Sequence, residues 1–246
     1  SARGIATTVS SQVSGFVMNF QVAAGPQIYK LYAKGEYQQM NRLVCNTAKY
    51  SSYLLILIGL PVFIKTEILI KLWLGNIPEY VIPFIRITLI ELFFKAIDFP
   101  IGNGIHAFGK MKLPNITSSI AYISVLPLTY IFLRLGASPV IAYIIACVSY
   151  PLAMACDLWI LNKFSGFDIK FYLLHVPLKS ILIILLSAIL PVFVSNSFED
   201  GWLNLILTSA VCAIVSAVLV FYIGLDAEMR EKVLRKVKDK LSFAFK

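Results

Sequence analysis

Charged residues are scarce in this chain, and the sequence motifs of common catalytic and metal sites are missing. Asp, Glu, Lys and Arg make up 14% of the 246 residues, against 59% hydrophobic residues, and the mean hydropathy is +0.80. There is no GxxxxGK(S/T) phosphate loop, no HExxH and no GxSxG. The four cysteines form no CxxC pair. We therefore predict a polytopic membrane protein that is not an enzyme, with no catalytic residues, metal or cofactor.

The basic excess has a distribution that favours a membrane over nucleic acid. A nucleic-acid-binding protein presents its cations on one face of a soluble domain, whereas the 22 Lys and Arg residues here lie mostly in connectors between apolar segments. In the topology that we infer, fifteen of them are on inner segments, four on outer segments and three within the membrane. This distribution satisfies the positive-inside rule. It predicts a cytoplasmic C-terminus and no nucleic-acid partner.

Apolar segments recur along the chain, separated by polar connectors. They predict the fold class: all-α, a polytopic membrane helix bundle of about seven transmembrane helices that fills residues 1–225. We expect Gly25-Pro26 to end the first span, residues 30–49 to be a polar connector, and a short helix in residues 65–80 to end at Gly75. Asp157 is expected to reach the inner interface. The predicted spans are residues 1–26, 50–64, 81–106, 116–133, 140–161, 173–194 and 202–224.

The span at residues 81–106 contains Arg86, Glu91, Lys95 and Asp98. Insertion into lipid costs roughly 2.5–3.5 kcal/mol for each Arg, Lys or Asp at mid-membrane, so these side chains must face protein or water. At 100° per residue the last three fall within a sector of about 60°, where Lys95 can pair with either acid. Both a polar transport path and a buried cluster that only fixes helix register are compatible with this pattern.

Pro100 follows the charged residues in the same span. Proline has no backbone N–H, so it leaves a carbonyl one turn earlier without its helical partner. Gly102 and Gly104 loosen the end of the helix. The combination predicts a kinked helix beside a cavity.

The first span has one polar and one apolar side. A small and polar helix face either packs closely against another helix or lines water. The apolar side consists of Ala6, Val9, Val13, Val17 and Phe20. The polar side consists of Ser1, Gly4, Thr8, Ser11, Gln12, Gly15 and Asn19.

Residues 226–246 form the second predicted unit, a basic amphipathic helix on the cytoplasmic membrane surface. Asp226 can cap this helix, and cations near an anionic leaflet contribute about 1 kcal/mol each. We expect the last span, residues 202–224, to be peripheral and lipid-facing. The adjacent acids Glu199 and Asp200 are expected to be solvated loop charges. The apolar edge of the tail is Met229, Val233, Val237 and Leu241, set among Arg230, Lys232, Arg235, Lys236, Lys238 and Lys240.

An ordered set of short motifs resembles the Wzx-type O-antigen and lipopolysaccharide flippases, polysaccharide biosynthesis transporters of the multidrug/oligosaccharidyl-lipid/polysaccharide exporter superfamily. The motifs span about the first 115 residues, and the remainder is similar only in hydropathy. They are Ala2-Arg3-Gly4-Ile5-Ala6, Asn19-Phe20, Pro26-Gln27-Ile28 with Lys30 and Tyr32-Ala33, Leu72-Trp73-Leu74-Gly75 and Gly109-Lys110-Met111-Lys112.

The resemblance implies the C-terminal half of a transporter with two pseudo-symmetric bundles around a cavity that opens alternately to each membrane face. Such a protein moves an undecaprenyl-diphosphate-linked oligosaccharide across the bacterial cytoplasmic (inner) membrane, with the phospholipid membrane and other polysaccharide-assembly proteins as partners. The resemblance implies Arg3, Arg86 and Lys95 as candidates for the diphosphate. Thr8, Gln12 and Asn19 are the candidates for sugar hydroxyls, and Glu91 and Asp98 for ion coupling or for salt bridges to Lys95.

Two alternatives of other classes remain open. A drug or cation antiporter of the same superfamily would share the helix count, although its cationic substrate would favour acids and aromatics. A membrane enzyme such as an O-antigen polymerase or ligase would show a long outer loop with several Arg or His residues, which the predicted outer loops lack.

Overall fold

The computed structural model describes residues 2–198 and 201–244, with side chains described up to Arg235. Among these residues all regular structure is helical, which confirms the all-α class. Ser1, Glu199 and Asp200 lie outside the described residues. The same holds for the side chains of five residues of the predicted tail helix: Lys236, Val237, Lys238, Lys240 and Leu241. The helices are α1 Ala2–Ala33, α2 Tyr37–Ile64, α3 Thr66–Leu74, α4 Val81–Ala107, α5 Lys112–Arg134, α6 Val140–Ser165, α7 Ile169–His175, α8 Pro177–Ser197, α9 Trp202–Leu219 and α10 Ala227–Ala244.

Within the described ranges, five helical stretches are long and apolar enough to cross a membrane, which makes this a multi-pass membrane architecture. The other two predicted spans correspond to α1 and α4. These helices have 32 and 27 residues, or about 48 and 40 Å at 1.5 Å per residue, but α1 is less hydrophobic than the five and α4 carries four charged residues. The five stretches are Tyr37–Ile64, Lys112–Arg134, Val140–Ser165, Ile169–Ser197 and Trp202–Gly224.

Helix α4 lies at the centre of the bundle, packed against α1, α2 and α6. Its isoleucines Ile97, Ile101 and Ile105 are fully buried. Gly104 permits a close approach to α6, because a Cβ at this position would lie 3.1 Å from a Leu161 methyl carbon. Outside this group, α5 packs on α6, and the α8–α9 pair packs on α2. Most of the apolar surface of α5 is exposed, as expected of a helix that faces lipid.

Two predicted helix ends are wrong. Helix α1 continues through Gly25 and Pro26 to Ala33, because the proline removes only one helical N–H. Helix α2 begins at Tyr37, thirteen residues before the predicted span, so most of the predicted polar connector is helix. By contrast, the predicted end of α3 at Gly75 is confirmed. Gly75 follows the last helical residue, Leu74, and has a positive φ of 76°.

The structure also buries polar groups whose surroundings the sequence did not predict. Asp157, expected at the inner interface, is only 7% exposed, within the part of α6 that packs on α4. Helix α9 is largely exposed, as predicted for a peripheral helix, and the side that it buries is mostly polar. That buried side consists of Asn204, Thr208, Cys212 and Ser216.

Candidate functional site

A hydrogen bond between α1 and α4 compensates for the proline in α4. Pro100 cannot donate to the Ala96 carbonyl, and the buried amide of Gln21 donates to that oxygen instead, at 2.7 Å. The next carbonyl, Ile97, accepts from the Tyr172 hydroxyl of α7 at 2.7 Å. Both acceptors are buried, where an unpaired carbonyl would be costly. The prediction that Pro100 frees a carbonyl therefore has a structural counterpart, and the new partner lies on another helix.

A cavity of about 360 Å³ adjoins this point, bounded by α1, α2, α4 and α6. Two of the three charged residues in the predicted sector of α4, Lys95 and Asp98, line it. Polar groups from α1 and an aromatic ring from α6 complete the wall. The lining residues are Ser14, Val17, Met18, Gln21, Leu55, Leu92, Lys95, Ala96, Asp98, Phe99 and Tyr150.

Lys95 is paired within its own helix. Its ammonium Nζ lies 2.6 Å from Glu91 Oε1, the i,i+4 arrangement that the sequence spacing allowed. The same Nζ lies 4.8 Å from the centre of the Tyr150 ring, within cation–π range. The Lys95 side chain is 43% exposed, so it remains accessible from the cavity even though Glu91 balances its charge.

Asp98 is in a different situation from Glu91. Its Oδ1 atom is buried and has no hydrogen-bond partner among the described residues. Asp157 of α6, whose charge has the same sign, acts on it electrostatically. Asp157 Oδ1 is likewise buried and without a partner in the described part of the chain. The centre of the bundle therefore carries two acids with unpartnered Oδ1 atoms in addition to one neutral ion pair.

The polar side of α1 points away from the bundle. Arg3, Thr8, Gln12 and Asn19 are all exposed, whereas the opposite side of the helix is buried through Ala6, Val13 and Val17. The Thr8 hydroxyl donates to the Gly4 carbonyl of its own helix at 3.0 Å. No described helix covers this polar face, so it is available to a cavity or to another protein segment.

Arg86 lies apart from the other candidate residues. Nine residues separate it from Lys95, which places the two on opposite sides of α4 at 100° per residue. Its guanidinium lies 5.7 Å from the centre of the Phe63 ring of α2. The structure thus brings Lys95 and Asp98 together at one cavity, but it places Arg86 elsewhere.

Gln21, Ser14 and Tyr150 line the cavity but were absent from the predicted site. Pro100 gave a partial signal, since it required a donor for the Ala96 carbonyl. The identity of that donor depends on how α1 packs against α4, which the sequence pattern does not specify.

No family model, curated protein or solved structure matches this chain. Fold and cavity define its class: a multi-pass helical membrane protein whose central helix carries ionisable side chains beside an internal cavity. That architecture is compatible with a membrane transporter.

Proposed function

We propose that this chain is part of a flippase that moves a lipid-diphosphate-linked oligosaccharide across the bacterial cytoplasmic membrane. The cavity beside α4 supports this function more than any other feature, because Lys95, Asp98 and Gln21 supply polar groups inside a membrane bundle. Diphosphates and sugars cannot cross hydrocarbon unless such groups replace their hydration. An intramembrane charge beside a cavity is characteristic of a substrate path.

The uncovered polar face of α1 extends the proposal beyond the cavity itself. Thr8, Gln12 and Asn19 are exposed on a helix that borders the cavity through Ser14 and Gln21. We propose that this face meets the glycan, and that a second helical bundle of the transporter lies opposite it. Alternating access then results from movement of the two bundles around a central site. In this arrangement the C-terminal helix α10 lies on the cytoplasmic leaflet.

Substitutions at Lys95 test the role of its ammonium group. In the full-length protein, Lys95→Met should lower the flux of lipid-linked oligosaccharide about 10- to 100-fold, because a charged hydrogen bond contributes about 1.5–3 kcal/mol. Lys95→Arg, which keeps the charge, should retain most of the flux. Flux is measured in proteoliposomes as the accessibility of a fluorescent lipid-linked oligosaccharide to an impermeant quencher.

The ion pair makes a second variant necessary. Lys95→Met also leaves Glu91 without its counter-charge, so loss of flux could reflect that carboxylate alone. The double variant Glu91→Gln/Lys95→Met removes both charges and should remain inactive if Lys95 binds the diphosphate. Full recovery in the double variant, or wild-type flux in Lys95→Met, would refute the role. Lys110→Met, at an exposed position beyond α4, serves as the matched control.

A cation antiporter is the second candidate, and one observation favours it. With Lys95 balanced by Glu91, the remaining charge on the cavity wall is that of Asp98, beside the rings of Phe99 and Tyr150. Acids and aromatics suit an organic cation. The same proteoliposomes distinguish the two functions: transport of a quaternary ammonium dye without movement of the lipid-linked oligosaccharide would establish the antiporter.

A further inference from the structure

One side of α4 continues as an exposed strip from the cavity to the end of the helix. Gly102 and His106 follow Lys95 by seven and eleven residues, which places both within about 20° of Lys95 at 100° per residue. A Cβ added at Gly102 would face open space within the described part of the chain, and His106 is exposed. We call this side of α4 the α4 strip; it consists of Lys95, Asp98, Phe99, Gly102 and His106.

Helix α6 covers the α4 strip at one end only. Midway along α4, the Tyr150 ring of α6 lies 4.8 Å from Lys95 Nζ, on the side of the strip. Closer to the end of α4 the contact has moved, because a Cβ at Gly104 would lie 3.1 Å from a Leu161 methyl carbon of α6. Gly104 follows Lys95 by nine residues, so it lies about 180° from Lys95 around the helix. Helix α6 therefore crosses α4 and leaves the second half of the strip.

Helix α1 stays beside the α4 strip over the same length. The Gln21 amide of α1 donates to the Ala96 carbonyl at 2.7 Å, and a Cβ at Gly25 would lie 3.9 Å from Asn103 Nδ2. Ala96 and Asn103 are both about 80–100° from Lys95 in the same direction around α4. The space between α1 and α6 therefore widens from the cavity toward the end of α4, and the α4 strip forms the floor of this groove.

The groove has the chemistry of a site for uncharged polar groups. Between Lys95 and Ala107 the sequence of α4 has no Lys or Arg, so a diphosphate would lack a counter-charge there. Asp98 Oδ1 is buried without a hydrogen-bond partner among the described residues, and a sugar hydroxyl can donate to it. His106 offers a further hydrogen-bonding group, and Phe99, which is 37% exposed, offers a ring to the apolar face of a sugar. Ionisable side chains in a membrane span face water or protein rather than lipid.

We propose that the groove along the α4 strip carries the glycan of the lipid-linked cargo, with the diphosphate at Lys95 and the sugars extending toward His106. This inference rests on the proposed function and adds the second half of α4 to the substrate path. Eleven residues separate Lys95 from His106, or about 16 Å along the helix axis, which is the scale of a short oligosaccharide. Asp98 and His106 bind hydroxyls in this arrangement, and Gly102 leaves room for a sugar ring.

Reaction of introduced cysteines with a charged, membrane-impermeant methanethiosulfonate tests whether the groove holds water. The variants are made in the full-length protein with its native cysteines replaced by alanine. Gly102→Cys and His106→Cys should each react about 10-fold or more faster than Ile101→Cys and Ile123→Cys, because apolar surroundings suppress the reacting thiolate. Ile101 is fully buried in α4, and Ile123 is 71% exposed on α5, where we expect lipid. Reaction of both groove cysteines as slowly as Ile123→Cys would refute the groove.

Protection from this reaction tests which part of the cargo occupies the groove. The lipid-linked oligosaccharide of the flux assay should abolish labelling of Gly102→Cys, whereas a polyprenyl diphosphate without glycan should leave the labelling rate unchanged. Equal protection by the two lipids would place the head group at Gly102 and overturn the assignment to the glycan.

Two further outcomes separate this inference from the proposed function. Protection by neither lipid, in a protein that still moves lipid-linked oligosaccharide in proteoliposomes, would refute the groove as the glycan path and leave the flippase function in place. Protection by a quaternary ammonium dye, in a protein without flux of lipid-linked oligosaccharide, would refute the flippase function and the glycan path together.

Discussion

Gln21 and Pro100 are coupled although they lie on different helices, because the carbonyl that the proline leaves free accepts from the glutamine. In a membrane bundle the alternative to this bond is an unpaired carbonyl in a region of low dielectric constant. The Tyr172 hydroxyl adds a second hydrogen bond from another helix, at the neighbouring Ile97 carbonyl. Side chains from α1 and α7 thus hold α4 at the point where its own hydrogen bonding is weakest.

This coupling predicts a non-additive effect on stability. Gln21→Leu should lower the free energy of unfolding by about 1–3 kcal/mol, the usual cost of leaving a buried acceptor unpaired. In a Pro100→Ala background the new backbone N–H can bond the Ala96 carbonyl, so Gln21→Leu should cost much less. The measurement is a double-mutant cycle of unfolding in detergent micelles.

Gln12→Leu is the matched control, since Gln12 is exposed on the same helix and should contribute little to stability. Equal costs of Gln21→Leu in the two backgrounds would show that the hydrogen bond to Ala96 is not the source of its effect.

At the scale of elements, the junction between α9 and α10 is fixed to α2. A single turn of π-helix, Val220–Gly224, ends α9, and the Tyr53 hydroxyl donates to the Gly224 carbonyl at 3.2 Å. A side chain at Gly224 would meet the Tyr53 ring at 2.8 Å, so only glycine fits there. Two residues later, Asp226 Oδ2 binds Lys49 Nζ at 2.6 Å. The sequence suggested Asp226 as a helix cap but gave no sign of this partner.

The two members of this ion pair differ in burial, which predicts unequal effects. The Lys49 side chain is 5% exposed, whereas that of Asp226 is 57% exposed. Asp226→Asn leaves a buried cation without its counter-charge and should destabilise the protein by about 1–3 kcal/mol. Lys49→Met leaves a carboxylate that water can solvate, so it should cost under about 1 kcal/mol. Thermal unfolding and trypsin cleavage within α10 measure both effects.

Glu228→Gln provides the comparison, because Glu228 pairs with Lys232 at an exposed site of α10. Lys232 lowers the pKa of Glu228, so this pair persists above the ordinary glutamate range and is lost as the pH falls through the lowered value. At neutral pH its removal should not release α10. A larger effect of Lys49→Met than of Asp226→Asn would contradict the burial argument.

The sequence predicted the structure correctly where residue spacing or residue type within one helix determines the geometry. The spacing of α4 predicted that Lys95 pairs with Glu91 or Asp98, of which the structure shows Glu91, and Gly75 predicted the end of α3. Helix boundaries near residues 25 and 37 were wrong because a membrane helix tolerates proline and extends beyond its apolar part. The burial of Asp157 and the role of Gln21 depend on which helices adjoin α4, and such pairings are not encoded in the period of one segment.

At the scale of the whole molecule, the described chain has a few charged and polar groups inside an apolar bundle and an uncovered polar face on one side. The charged sector of α4 lies inside a group of helices, and α1, whose polar side is exposed, borders the same cavity through Ser14 and Gln21. At one end of the bundle, Tyr32, Phe108 and Phe164 bring the ends of α1, α4 and α6 together. Exposed cations, among them Lys34, Lys110 and Lys163, lie near this end.

The most direct test of the proposed function is the position of lipid-linked glycan in cells that lack the gene for the full-length protein. A membrane-impermeant glycan probe reports which leaflet the glycan occupies. A flippase predicts completed repeat units confined to the inner leaflet, and their return to the outer leaflet when the gene is restored. Unpolymerised single units on the outer face, or glycan that is unchanged by the deletion, would contradict the proposal.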